Sequence, residues 1–290
     1  MRPILAVLVF ALAATVARAD NGPRPFASFD KAGPAVLNDP HDLAFGPDGR
    51  LYVADKFGNR IAVLDPETLD IVEEIDSGRL PVVHDISIAR DGRAAVAVTG
   101  LGQVLIYESI HTPARKLVGA LPAPRTEGAL MHSNGRIYVM AGGAGLVFAV
   151  QGGQIVATAE GHYGAHDVAE DKDGNVWVAD NFQRRIVKYS PDLKQLKVID
   201  DSKFGFVGPR YLDFDSFGRL LVADQDAHRI LLIDPDGPNG GTLLGILGDG
   251  IPGKGPNKFD DPEGIAVKGN YFYISDSDNN RIVRYTIAIN

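Results

Sequence analysis

Four segments of this chain are copies of one another. LYVADKFGNRIAVLD from Leu51, VWVADNFQRRIVKYS from Val176, LLVADQDAHRILLID from Leu220 and FYISDSDNNRIVRYT from Phe272 share one plan. An apolar run ends in Asp, a polar turn follows, and Arg-Ile opens a second apolar run. The runs have the length of strands and are bounded by Gly, Asp and Asn, while helix-period segments are absent. A further short apolar run, closed by a turn such as PDG, KDG or SFG, precedes the first three. Two weaker copies fall between the first and second, around Asp91-Gly92 and Asn134-Gly135. A unit of roughly 40 residues with three or four strands cannot cover both of its own faces, so copies must pack on copies. That predicts an all-β, six-bladed β-propeller.

Phasing on the residue before the innermost strand of each copy gives six positions: His41, His84, Glu127, His166, Arg210 and Glu263. The last copy ends soon after Ile282-Val283-Arg284-Tyr285 and lacks its outer strand. Residues 25–30 can supply that strand, so an N-terminal strand completing the last blade is expected to close the ring. Closure of this kind removes the open sheet edges that invite aggregation.

The innermost strands line the channel, so all six phased residues are expected at one of its mouths. All six are ionisable. Crowding them without a compensating ion costs several kcal/mol of desolvation. Three imidazoles with one or two carboxylates suit a divalent first-row metal, zinc foremost, with His41, His84 and His166 as ligands. Calcium is admissible as a structural ion. The alternative is a metal-free polar plug in which Arg210 and the carboxylates pair with their neighbours. Asp42, Asp85 and Asp167 follow the three histidines directly. Adjacent strand residues face opposite ways, so these are expected to bond neighbouring backbone instead of the metal.

Other candidates have simpler readings. His162, in the loop Gly161-His162-Tyr163-Gly164, is expected to be exposed and able to reach a substrate. His111, His132 and His228 are expected at the surface. The series Asp55, Asp180, Asp224 and Asp276, with Arg60, Arg185, Arg229 and Arg281, is too regular to be catalytic and reads as a turn-and-pair device. Trp177 and Phe272 read as core. The glycine-rich residues 248–255 lack the strand-loop-helix setting of a phosphate cradle and read as a blade connector. No nucleophile elbow and no cysteine occur.

Met1-Arg2, the apolar run from Ile4 to Val16 and the small-residue pattern Ala17-Arg18-Ala19 form a secretory signal peptide over residues 1–19. Residues 20–290 are then expected as one exported propeller domain, periplasmic or secreted and monomeric, with no second apolar run long enough to span a bilayer. Without disulfides such a domain must rest on its core, and 45% hydrophobic residues supply one. A formal charge of −8 argues against nucleic acid or an anionic membrane as partner.

The chain resembles the NHL-repeat family in Pro262-Glu263-Gly264-Ile265-Ala266-Val267, in the turn from Asp276 to Ile282 and in the connector from Gly248. The resemblance covers nearly all of residues 20–290 and implies the six-bladed fold; the family includes both enzymes and binding modules. Pro40-His41-Asp42-Leu43, with Val83-His84-Asp85-Ile86 and Ala165-His166-Asp167-Val168, further resembles the histidine openings of the peptidyl-α-hydroxyglycine α-amidating lyase family. That likeness implies zinc on His41, His84 and His166, and Arg210 as partner of an anionic substrate group. The family sets its histidines on alternate blades, whereas here they fall on the first, second and fourth. Phe57 and Phe182 stand where it carries a tyrosine base, so Tyr163 and Tyr211 are the tyrosines near this mouth. Glu127 or Glu263, if not a ligand, would be the base.

Two functions follow. One is a metal-dependent lyase or hydrolase acting at the channel mouth on a small molecule or peptide. The other is a non-catalytic module that presents a rigid face to a protein, peptide or glycan.

Overall fold

The computed structural model describes residues 25–111 and 113–288. The expected leader lies outside the described residues. Six four-stranded antiparallel sheets succeed one another along the chain. Their innermost strands are Pro40–Phe45, Val83–Ile88, Ala129–Met131, Asp167–Glu170, Pro209–Phe214 and Pro262–Lys268. Five sheets run in simple sequence order from the inside out. The sixth takes its outer strand from Ala27–Ala32, which pairs antiparallel with Arg281–Ile287. The strand from the start of the chain therefore closes the ring, displaced by two residues from its sequence-based position.

The core lies in the seams between sheets. Among the described residues six apolar clusters are present, and each joins two neighbouring blades. Strand alternation explains this. In Leu51–Asp55, Tyr52 and Ala54 enter the seam with the second blade, while Leu51 and Val53 enter the seam with the sixth. Both faces of such a strand are covered, so it is buried throughout and reads as a nearly unbroken apolar run. Trp177 and Phe272 lie in two of these clusters, 1% and 0% exposed.

The repeated Asp–Arg pairs are turn devices. Asp55–Arg60, Asp180–Arg185, Asp224–Arg229 and Asp276–Arg281 each close at 2.7–2.8 Å. The Asp is fully buried in all four. Asp224 also accepts the backbone N–H groups of Val207 and Gly208, at 2.9 and 2.7 Å, and so ties its turn to the entry of its own inner strand.

Two histidines depart from expectation. His162 is fully buried: Nδ1 lies 3.2 Å from Asp180 and Nε2 lies 2.6 Å from the Tyr189 hydroxyl. An imidazole can serve two polar partners at once, so it seals that seam instead of facing solvent. His132 is 4% exposed; Nδ1 accepts the Asn134 N–H at 3.0 Å, as the Asp171 and Asp215 carboxylates do in the equivalent turns. It is an Asx-turn analogue, which composition alone does not reveal. Among the described residues no helix is long and apolar enough to cross a membrane.

Candidate metal centre at the channel mouth

Each inner strand begins where its neighbouring second strand ends, as in the pairings Pro40–Asp55, Pro209–Asp224 and Pro262–Asp276. The six phased residues therefore gather at one end of the channel with the turns that follow the second strands. A backbone device sets their direction. Two residues before the phased position the chain is left-handed at Asp39 (φ 56°), Val82 (φ 54°), Arg125 (φ 53°), Gly164 (φ 78°) and Asp261 (φ 51°). A β-branched residue such as Val82 is strained there, at a cost of about 1–3 kcal/mol. Blades three and six place glycine directly after the phased residue. A Cβ at Gly128 or Gly264 would stand 2.4 Å from the carbonyl of His166 or His41, because the next blade's strand passes that close.

His41 is 1% exposed and sits between two carboxylates. Its Nδ1 is 2.6 Å from Glu263 Oε2, and its Nε2 is 3.5 Å from Asp39 Oδ2. Burial alone would depress its pKa, but Glu263 and Asp39 outweigh it and leave the value raised. The His84 ring lies edge-on to His41, centroids 4.6 Å apart. Burial, reinforced by the charge on His41, takes the His84 pKa down to about 3, so this imidazole is neutral. Its Nδ1 faces Val82 O at 3.1 Å and Thr99 Oγ1 at 2.7 Å. The Thr99 hydroxyl spends its own proton on the Thr126 carbonyl. His84 must therefore carry its hydrogen on Nδ1 and hold a lone pair on Nε2.

His166 repeats the arrangement. Nδ1 donates to Gly164 O at 2.9 Å, while Nε2 meets Glu127 Oε2 at 2.7 Å. Glu127 and Glu263 are both held at about 2. Burial pushes each upward, but His166 on the first, and His41 with Arg210 on the second, pull harder. Arg210 reaches Glu263 Oε1 at 2.9 Å, and Gln225 Nε2 reaches the same oxygen at 2.7 Å. Tyr211 is buried beneath the mouth and donates to His84 O at 3.2 Å, and its pKa is pushed well up, first by burial and then by Glu263. Tyr163 stands at the rim, 62% exposed.

Asp42, Asp85 and Asp167 point elsewhere. Each accepts a backbone N–H from the next blade, of Ile86, Ala129 and Leu212 at 3.2, 3.2 and 2.7 Å. Asp213 does the same for Val267 at 2.8 Å. These carboxylates stitch inner strand to inner strand around the channel.

Among the described residues, two groups of three could hold a metal, with ligand atoms within 4.8 Å of one another: Asp39, His41 and Glu263, and His228, Asp260 and Asp261. The first lies at this mouth and includes one of the three phased histidines. It adds Asp39, which sequence reasoning missed although it stands two residues before His41. The sign was present in Asp39-Pro40, where a short polar residue precedes a proline at a bend.

The NHL repeat family matches residues 37–64 and 259–285, the first and last blades. The chain is a six-bladed β-propeller that carries NHL repeats. No protein of curated description matches its sequence. Solved structures do match this propeller. A catalytically inactive virginiamycin B lyase from Staphylococcus aureus with quinupristin shares 15% identity, with a TM-score of 0.64 over 88% of this chain and 98% of that one. An auxiliary nutrient binding protein from Bacteroides thetaiotaomicron shares 17% identity, with a TM-score of 0.68 over 91% of this chain and 75% of that one. The β-propeller domain of Myceliophteria thermophila Cps50 (Swd1) shares 13%, with a TM-score of 0.63 over 90% and 99%. At these identities the chain and its neighbours share a fold; lyases and binding proteins both use it.

Proposed function

We propose that this exported NHL propeller is a divalent-metal-dependent enzyme, a lyase or hydrolase that acts on a small molecule or peptide at the His41 mouth. One observation carries the reading. His41, His84 and His166 each turn Nδ1 to an acceptor, namely the Glu263 carboxylate, the Val82 carbonyl with Thr99, and the Gly164 carbonyl. Imidazoles that ligate a metal through Nε2 are oriented in this way, the second nitrogen donating to a carboxylate or backbone carbonyl. Of the three, His41 keeps a buried Nε2 without a hydrogen-bond partner, whereas His166 Nε2 already meets Glu127.

The residues present suit such an ion. His41 Nε2 is buried and has no hydrogen-bond partner. Its 3.5 Å separation from Asp39 Oδ2 is close to the edge of a tetrahedron with bonds of about 2.1 Å, roughly 3.4 Å. Nitrogen and carboxylate donors together favour zinc or another first-row ion. His41 and Asp39 would hold it once Lys56, whose Nζ lies 2.7 Å from Asp39 Oδ2, is displaced, with His84 beside them and Glu263 fixing the His41 ring. When bound, the ion supplies Lewis acidity. The chain's own groups do the rest. Arg210 offers a cation to an anionic substrate group, and Glu127 accepts a proton once His166 is turned away.

The second reading, a binding module, has its own support. His166–Glu127 and Arg210–Glu263 already neutralise one another, so a metal-free mouth is electrostatically self-sufficient. Metal analysis of the purified protein tests the centre on which the enzymatic reading rests, since a binding module can carry a structural metal or none. About one first-row metal ion per chain, lost in His84→Ala with the fold retained, supports the enzyme; equal first-row metal content in wild type and variant overturns it.

A further inference from the structure

We propose that the seam between the fifth and sixth blades binds a hard divalent cation of the calcium type, held by the carboxylates of Asp260 and Asp261 and the amide oxygen of Gln225. The site adjoins the histidine mouth, to which Gln225 is tied through Glu263, but it does not depend on the enzymatic reading.

Gln225 and His228 belong to the turn that follows the second strand of blade five; Asp260 and Asp261 end the connector that leads into the inner strand of blade six. His228 Nδ1 lies 3.6 Å from Asp260 Oδ1 and 3.9 Å from Asp261 Oδ1. Its Nδ1 accepts the Asp261 backbone N–H at 3.2 Å, so that nitrogen donates no hydrogen bond to either carboxylate. Among the described residues no lysine or arginine pairs with Asp260, Asp261 or Asp278. The carboxylates are left facing one another. Burial and the neighbouring Asp278 carry Asp261 up to about 6, and burial with Asp260 raises Asp278.

The independent sign is Gln225, which is 4% exposed. Its Nε2 bonds Asp261 Oδ2 at 3.2 Å and Glu263 Oε1 at 2.7 Å. Two carboxylates fix which end of the amide is nitrogen, so exchanging the ends cannot rescue the other atom. Oε1 is therefore a buried carbonyl oxygen with no donor, on an amide that stands against Asp261. Buried acceptors are almost always satisfied, and a cation satisfies this one. With His228's lone pair already taken, the available donors are all oxygen. That selects a hard ion such as calcium over zinc. Bound there, the ion would clamp the connector, residues 248–261, onto blade five.

The test uses the whole protein, stripped with EDTA and titrated with calcium chloride by calorimetry and by thermal unfolding. Saturable binding is expected, with Tm rising by about 5 °C at a hundredfold excess over Kd. Asp261→Asn and Asp260→Asn should each weaken binding at least tenfold, and Gln225→Ala should weaken it measurably. In EDTA, Asp261→Asn should be no less stable than wild type because like-charge crowding is relieved, and calcium should reverse that order. His228→Gly, which suits the left-handed φ of 48° there, should keep calcium binding, as should His84→Ala. No saturable calcium binding by the wild type overturns the proposal. So does loss of binding in His228→Gly, or full binding in Asp261→Asn.

Discussion

Nδ1 of His41 stands 2.6 Å from Oε2 of Glu263, and both side chains are sealed from solvent although 222 positions separate them. The contact joins the first blade to the last across the point where the ring closes. It also biases the charge at the mouth: Glu263 raises the His41 pKa, and His41, after burial, helps depress that of His84.

Glu263→Gln removes the charge that His41 and Arg210 both face. Breaking a buried pair in this way costs about 3 kcal/mol, which chemical denaturation can measure. With the carboxylate gone, burial prevails and the His41 pKa should fall. An NMR titration in which the His41 ring keeps its wild-type midpoint would contradict this account of the mouth.

Stability should decline on both sides of a maximum between about pH 4.5 and 6, measured in EDTA by thermal unfolding from pH 2 to 8. Glu263 and Glu127 are held at about 2, below their ordinary 4.5, so their contribution is present above pH 4.5 and is lost as pH falls towards 2. Asp167 and Asp213 are raised by burial from 3.8 to about 7. A raised acid binds protons in the folded state, so these two lower stability as pH climbs from about 4 through 7, opposed up to 6.5 by His84, whose pKa of about 3 makes the folded state gain as pH rises. The raised pKa of His41 acts in the same direction above 6.5. A Tm still increasing at pH 8 would refute the assignment.

His162→Ala should cost about 3 kcal/mol in urea unfolding. It opens a cavity in a fully buried site and strips partners from Asp180 and Tyr189. Metal content should be unaffected. A loss under 1 kcal/mol would return His162 to the surface role suggested by its loop.

Phe26 is fully buried and stacks on Phe272 with centroids 5.6 Å apart, just ahead of the strand that closes the ring. Phe26→Ala should cost about 3–5 kcal/mol. Deleting residues 25–32 should expose the edge of Arg281–Ile287 and produce oligomers in size-exclusion chromatography. A deletion variant as stable and monodisperse as wild type would show that closure does not need this strand.

The blades were legible because each copy restates the same strand, turn and Asp–Arg pair, and the phase common to His41, His84 and Glu263 identified the mouth. Asp39 at the mouth, and its neighbours Lys56 and Gln225, were not legible from the sequence. Asp39 acts through a left-handed bend, Lys56 by reaching Asp39 at 2.7 Å, and Gln225 through carboxylates 36 and 38 positions away. His132 and His162 looked like loop residues because the carbonyls, carboxylates and hydroxyls that bury them come from other segments.

Periodicity alone determined the six blades, the ring-closing strand and the facing of six ionisable side chains towards one mouth, because period-two strands with both faces apolar can only stack on their own copies. Only the folded chain decided which of those six side chains pair, which ring nitrogen each histidine presents and where carboxylates lack a cation. Those choices depend on separations of a few ångströms between residues that no local pattern connects.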